Sequence, residues 1–190
     1  MTVDFNRLDD GELATLAIAG HDAAFAEILH RHRDPVYRLV RGHIGNADEA
    51  LDVTQDVFVA ALQHLGRYDP ARPLRAWLAR IAINRCRDWR RRQRVRRFFT
   101  FASAIPRDAI ETVPDPAAAI DIAVADRQAL THLTQAIAAL PTALKEVLLL
   151  RTVEGLSQAE TAAALGISEK AVETRLYRAR GRLREMIGNR

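Results

Sequence analysis

The chain has 190 residues, enough for one medium-sized or two small domains. Nearly half of the residues (48%) are hydrophobic but only 6% are aromatic, which favours packed helices over a β-sandwich. The net charge of +4 and a pI of about 9.8 indicate a polyanionic partner. A lone cysteine excludes an intramolecular disulfide and a multi-cysteine zinc site. With no signal-peptide or transmembrane pattern, a soluble cytoplasmic protein is expected.

The first half of the chain predicts helices. Capping residues and hydrophobic periodicity place four helix starts, at Asp9 or Asp10, at His21 with Asp22, at Asn46 or Asp48, and at Leu74. The first of these helices is expected to end at Ala19, and Pro35 is expected to kink the second. Residues 42–46 are then predicted to form a turn, and residues 66–73 a loop before the long fourth helix.

Charge is distributed unevenly along the chain. Residues 57–97 contain twelve arginines against Asp69 and Asp88, whereas residues 98–125 contain one arginine and four acids. The segment after Ser168 is basic again. Two basic zones separated by an acidic stretch predict two nucleic-acid contacts joined by a linker.

The linker is also visible in its proline content. Pro106, Pro114 and Pro116 interrupt any helical period, because each proline disfavours helix at the residue before it. A surface loop inside one domain is the simpler interpretation, but this segment would be unusually long for that role. We therefore predict an all-α protein of two small helical domains, at 1–97 and 126–190, joined by a flexible linker at 98–125.

Residues 156–180 carry the pattern of a helix-turn-helix. Ser157 and Glu160 form a capping box, Gly166 supplies the positive-φ residue that ends the first helix, and Ser168 caps the second. The apolar residues spaced to pack the two helices together are Ala163, Leu165, Ile167, Val172 and Leu176. The second helix then presents a polar face that fits the DNA major groove. A generic helical hairpin would not need this combination of caps, glycine turn and basic face.

Several blocks resemble the bacterial sigma factors. Residues 48–58, the Tyr-Asp-Pro loop that starts at Tyr68, and residues 77–91 are similar to the sigma-2 domain. Leu140 with Pro141, the lead-in at 151–157 and the helix-turn-helix resemble the sigma-4 domain. In their order and spacing, these blocks identify the chain as a member of the small two-domain extracytoplasmic-function (ECF) group. One departure is Lys170-Ala171, where the family often has Gly-Thr.

The resemblance implies a transcription initiation factor that performs no chemistry and needs no cofactor. Such a protein binds core RNA polymerase, directs it to promoter DNA and helps to melt the duplex. It recognises an upstream (−35) and a downstream (−10) promoter element. The family also implies a role in stress response and control by an anti-sigma factor. No membrane insertion is expected, because no apolar run approaches the length of a transmembrane helix. The flexible linker would allow such a partner to clamp the two domains together.

The resemblance and the chemistry of the residues assign three sites. The upstream element is expected to contact the recognition-helix residues Ser168, Lys170, Glu173, Thr174, Arg175 and Arg178. The melted downstream element is expected to contact Tyr68, Asp69, Arg72, Asn84, Arg87, Arg90 and Arg91. Polymerase is expected to dock on the acidic face of the third helix, formed by Asp48, Asp52, Gln55 and Asp56. Arginines suit phosphate contacts, and an aromatic ring suits stacking on an unpaired base.

Two other functions remain open from the residues alone. One is a stand-alone helix-turn-helix regulator that dimerises on operator DNA. The other is a helical ribonuclease, since Arg38 and His43 fit a loose Arg-x4-His spacing, although the usual polar residue beside the arginine is missing. Trp77 and Trp89 are interpreted as core residues rather than stacking platforms. Cys86 lies between arginines that would lower its thiol pKa, but a small helix residue without redox function is the more ordinary role.

Overall fold

The computed structural model describes residues 4–102 and 121–188, and the regular structure in them is entirely helical. The N-terminal unit contains helices α1 (Asp10–Ile18), α2 (Asp22–Ile44), α3 (Ala47–His64) and α4 (Leu74–Ala102), with short 3-10 turns at Phe5–Arg7 and Leu65–Arg67. The C-terminal unit contains α5 (Asp121–Ala139), α6 (Thr142–Thr152), α7 (Gln158–Leu165) and α8 (Glu169–Gly188). The predicted all-α class is confirmed.

Helices α1 and α3 begin at residues whose side chains cap them. Asp9 and Glu12 form a reciprocal capping box at the start of α1, with backbone-to-carboxylate distances of 2.8 Å in both directions. The side chain of Asn46 accepts from the Glu49 amide at 3.1 Å and opens α3. These bonds satisfy amides that have no partner within the helix, so the caps fix where each helix starts.

The core of the N-terminal unit lies between α2, α3 and α4. Leu39 and Val40 of α2, Val57 of α3, and Leu78 and Ala82 of α4 are each at most 1% exposed. Both tryptophans of α4 are half-buried and pack against this core, as predicted. The core therefore anchors the first half of α4 and leaves its arginine-rich second half to extend beyond it.

The turn predicted over 42–46 is shorter than expected. Helix α2 includes Gly42 and continues to Ile44, and the chain turns at Gly45, whose φ is 90°. Glycine inside a helix costs roughly 1 kcal/mol relative to alanine, which is why the sequence suggested a break. Here a Cβ on Gly42 would lie 2.7 Å from Cδ2 of Leu149, so the glycine allows a close approach by the C-terminal unit.

The C-terminal unit contains the predicted helix-turn-helix in α7 and α8. The Ser157–Glu160 capping box is present, and Gly166 ends α7 with φ of 66°. Ala162 packs with Val147 and Val172 in the small core beneath the motif. The prediction that Ala163 packs there is wrong by one position, because its side chain lies on the exposed side of α7.

Both flanking helices extend into the predicted linker. Helix α4 continues past residue 97 to Ala102, and α5 begins at Asp121, before the predicted boundary at 126. The remainder of the predicted linker, 103–120, lies outside the described residues. Within the described ranges, no helix combines the length and apolar character needed to cross a membrane.

Candidate promoter and polymerase interfaces

The recognition helix α8 has a capped N-terminus and is largely exposed. The Ser168 hydroxyl accepts from the Ala171 amide at 3.2 Å, and Val172 anchors the inner face of the helix with 1% exposure. Lys170 and Glu173 form an exposed ion pair at 2.8 Å, and the Thr174 hydroxyl donates to the Lys170 carbonyl. These side chains stand on the outward side of the first two turns, where a helix in the major groove contacts bases.

The two predicted arginines of α8 are placed differently. Arg178 is exposed, whereas Arg175 is half-buried. A half-buried arginine has its side chain constrained by packing, so it loses less freedom when it binds a base edge. Arg175 is thus the more constrained of the two side chains, and Arg178 is open to solvent.

Sequence reasoning overlooked Tyr177. Its side chain is 78% exposed, the largest exposure among the big hydrophobic residues of the described chain. It occupies the solvent side of α8 between two predicted contact positions, Thr174 and Arg178. An exposed apolar ring on a groove-binding helix suits contact with a thymine methyl group. The sequence signal that could have identified Tyr177 is its position among basic residues in the recognition helix.

The loop before α4 is held by its own side chains. Tyr68 is only 6% exposed, its hydroxyl donates to the Arg72 carbonyl at 2.5 Å, and its ring centroid lies 5.4 Å from that of Trp77. Asp69 accepts from the Ala71 amide at 3.0 Å and pairs with Arg72 at 3.3 Å. The expectation of a freely available Tyr68 ring is therefore corrected: in this structure Tyr68 braces the loop.

Asn84 and Arg91 are both exposed on α4, beyond this braced loop. Arg91 makes only a loose 3.9 Å contact with Asp88. An exposed amide can both donate and accept hydrogen bonds, as reading an unpaired base requires. The two residues and the loop thus offer a polar surface along one helix.

Arg87 and Arg90, in contrast, already have partners. Nε and Nη2 of Arg87 donate to the two carboxylate oxygens of Glu146, both at 2.7 Å. These hydrogen bonds raise the pKa of Arg87 above its usual range. The side chain of Arg90 donates to the hydroxyl of Thr142. Two of the predicted downstream-element residues therefore contact α6 of the C-terminal unit.

The polar face of α3 is exposed throughout. All four predicted polymerase-docking residues, Asp48, Asp52, Gln55 and Asp56, are open to solvent. Asp56 makes a 3.8 Å surface contact with Arg92. Sequence reasoning did not anticipate the apolar groove beside them, whose exposed rim is formed by Leu51, Val59 and Leu62 of α3. Its other wall comes from α2, with Phe25, Leu29 and Tyr37 among the lining residues.

The structure excludes His43 as the catalytic residue of a ribonuclease. The His43 side chain is fully buried where α2 meets α6, and its Nε2 lies 3.7 Å from a Glu146 oxygen. Burial lowers the pKa of His43 below its ordinary value, despite the neighbouring carboxylate. A neutral, inaccessible imidazole cannot contact an RNA phosphate, so this pair offers no cleavage site.

Cys86 is a buried packing residue. Its side chain has no solvent exposure, and burial raises the pKa of its thiol to about 12. The neighbouring arginines therefore do not activate it. Because the thiolate is the reactive species, we expect no reaction with Ellman's reagent in the native protein at about pH 8, and prompt reaction of one thiol in denaturant. Rapid labelling of the folded chain would contradict this burial.

Family models and known proteins match these two units. The model described as Sigma-70 region 2 matches residues 28–96, and that described as Sigma-70, region 4 matches residues 130–183. The RNA polymerase sigma factor CnrH of Cupriavidus metallidurans is 37% identical over 179 residues, covering 94% of each chain. The ECF RNA polymerase sigma factor SigM of Mycobacterium tuberculosis is 33% identical, covering 94% of this chain and 85% of the relative.

A solved structure agrees with this match. The chain superposes on the structure of CnrH in complex with the cytosolic domain of CnrY with a TM-score of 0.70 and 33% identity, covering 94% of this chain and 97% of that one. The chain therefore belongs to the sigma-70 family of RNA polymerase sigma factors, in the ECF group. Members of this family are transcription initiation factors and not enzymes.

Proposed function

We propose that this protein binds core RNA polymerase in the cytoplasm and directs it to promoters with separate upstream and downstream elements. Residues 1–97 bind polymerase and the melted downstream element, residues 98–125 link the units, and residues 126–190 read the upstream element. The observation that carries this proposal is the combination, in one chain, of a capped recognition helix with an arginine-rich helix beside a polar loop. A stand-alone regulator has no need of the second surface.

The α3 face and its groove together suit a protein partner. Stable protein–protein interfaces combine an apolar centre with a polar rim. Leu51 and Leu62 are 49% and 54% exposed, and Asp52 and Asp56 lie on the same exposed side of the helix. We assign this surface to polymerase, with the leucines providing buried apolar area and the carboxylates providing orientation and electrostatic complementarity.

We also propose control by an anti-sigma factor. The structure of the relative CnrH was solved with the cytosolic domain of CnrY bound, and that relative matches this chain over nearly its whole length. An exposed apolar groove beside the polymerase-docking face gives such a partner a surface to occupy. Purification from the native host should yield a stoichiometric partner that blocks core binding; a fully active, unpartnered protein under all conditions would contradict this control.

The loop and Asn84 are proposed to act on the melted downstream element. Pro70 and Pro73 restrict the loop, so little ordering entropy is lost when a base enters. Asn84→Ala should weaken binding to single-stranded downstream-element DNA and slow open-complex formation, while upstream-element binding remains normal. Permanganate footprinting checks this directly. Wild-type melting in Asn84→Ala and in a loop-swap variant would mean that the segment only connects two helices.

One experiment separates this function from that of a regulator. The purified chain is mixed with core polymerase, passed over a sizing column, and footprinted on promoter DNA with and without core. A sigma factor co-elutes with core and gives a full promoter footprint only in its presence. A footprint by the chain alone, together with no co-elution, would establish a regulator instead.

A further inference from the structure

A polar cleft lies beside the arginine-rich helix α4, near the point where α2 ends and α3 begins. Its volume is about 490 Å³. Small-molecule sites in proteins usually have volumes of roughly 300–1,000 Å³. The side chains that matter for its chemistry come from four helices: His43 of α2, Glu49 of α3, Trp89, Arg90 and Arg94 of α4, and Lys145 of α6. The cleft is therefore large enough for a small organic ligand and is lined by polar groups and one aromatic ring.

Positive charge predominates in this cleft. Its described lining contains one carboxylate, that of Glu49, and three cationic side chains, which are Arg90, Arg94 and Lys145. The carboxylate of Glu146 lies nearby, but both of its oxygens accept hydrogen bonds of 2.7 Å from Arg87. The cleft thus carries an excess of positive charge, which favours an anionic ligand.

Two buried groups at the cleft have unused hydrogen-bonding capacity. Among the described residues, neither ring nitrogen of His43 has a hydrogen-bond partner, and a Glu146 oxygen at 3.7 Å is beyond hydrogen-bond reach. The Lys145 ammonium donates to the carbonyls of His43 and Ala138, which leaves one of its three donor hydrogens. Buried polar groups without a partner are rare in native proteins, so the cleft offers donors that a polar ligand can engage.

The pKa values of the same two residues reflect the excess of positive charge. Burial, together with the nearby Arg90 guanidinium, lowers the pKa of Lys145 to about 8. Burial also lowers the pKa of His43, and the positive charges of Lys145 and Arg90 act in the same direction. An anion placed among these groups would offset their mutual repulsion.

We propose that this cleft binds a small nucleotide, with its phosphate groups on the cationic side chains and its base against the Trp89 ring. Guanidinium groups match phosphate oxygens in geometry and charge, and an indole ring stacks on any base. Arg90 uses one of its five donors for Thr142, and Arg94 makes no hydrogen bond or ion pair with the described residues. Both arginines therefore have donors for phosphate.

The test measures binding of ADP to the full-length chain by isothermal titration calorimetry in magnesium-free buffer. ADP should bind more tightly than inorganic phosphate, and adenosine should bind weakest, because each of these two probes lacks part of the contacts. In a Trp77→Phe background, ADP should also quench the fluorescence of the remaining tryptophan, Trp89. Circular dichroism verifies that this chain and each variant are folded.

Substitutions of opposite charge effect test the position of the site. Arg94→Gln should weaken ADP binding about tenfold, as expected for loss of a hydrogen bond to a charged group. Arg92→Gln removes the same charge from an exposed position of α4 outside the cleft and should remain near wild type. Glu49→Gln removes the carboxylate of the cleft and should tighten ADP binding severalfold, whereas Asp48→Asn, one residue away and outside the cleft, should change it little.

Three results would overturn the proposal. Equal effects of Arg94→Gln and Arg92→Gln would mean that the overall charge of α4 attracts ADP. Inorganic phosphate bound as tightly as ADP would reduce the site to an adventitious ion only. Displacement of ADP by a single-stranded oligonucleotide at the same concentration of phosphate groups would assign the cleft to a nucleic-acid backbone. The assay contains neither polymerase nor promoter DNA, so its result is independent of the proposed function.

Discussion

A chain carrying both Asp52→Arg and Asp56→Arg should bind core RNA polymerase roughly 100-fold more weakly or worse, because like charges brought together at an interface cost several kcal/mol. Both side chains are exposed, so the fold should remain intact. The lost contact between Asp56 and Arg92 is a surface pair at 3.8 Å, worth at most about 1 kcal/mol. Fluorescence anisotropy with labelled protein measures the affinity for core.

The matched control reverses two exposed carboxylates outside this face. Asp4→Arg with Asp22→Arg makes the same change in net charge and should retain near-normal core binding. Leu51→Asp tests the apolar groove separately and should also weaken binding. Wild-type affinity in the Asp52/Asp56 variant, with native helicity retained, would show that polymerase docks elsewhere.

Arg175→Ala should weaken binding to the cognate promoter by about 1–3 kcal/mol and reduce discrimination among upstream elements. Both effects are expected for loss of a base-edge contact. Arg175→Lys keeps the charge but not the two-pronged geometry of a guanidinium. It should therefore retain nonspecific DNA binding while losing most of the sequence preference. Binding selection from a randomised upstream element measures both quantities.

Arg182→Ala provides the control on the same helix. Arg182 is exposed farther along α8, beyond the turns that are expected to enter the groove. Its replacement should reduce affinity slightly and equally for all sequences, as the loss of a phosphate contact does. If Arg175→Ala leaves the ranking of upstream elements unchanged, α8 does not read bases through this residue.

Local chemistry made much of this fold predictable from the sequence. Capping side chains act within three residues, so the sequence narrowed the first cap to Asp9 or Asp10 and the third to Asn46 or Asp48, and it identified Ser157. The structure uses Asp9, Asn46 and Ser157. The positive φ of Gly166 followed from the same local reasoning. Apolar periodicity identified the buried faces but missed by one position at Ala163, where several small apolar residues in succession leave the helix phase ambiguous.

Long-range contacts were beyond sequence reasoning. Arg87 and Glu146 are 59 residues apart, and Lys145 bonds a carbonyl 102 residues away. Nothing in the local pattern distinguishes an arginine that will meet phosphate from one already paired with a carboxylate. Gly42 was likewise predicted to lie in a turn, because its role inside α2 is to allow the close approach of Leu149 from the other unit. The Tyr68 ring was predicted to be available to DNA, because its partner, Trp77, comes from the next helix.

Run-off transcription with purified core polymerase tests the central claim most directly. A genomic library of promoter fragments from the native host is transcribed by core alone, by this chain alone, and by both together. We expect discrete transcripts only with both components, arising from promoters that share an upstream and a downstream element. The same transcripts should disappear with the Asp52→Arg, Asp56→Arg variant. Core-dependent transcription that is unchanged by adding the chain would contradict its assignment as an initiation factor.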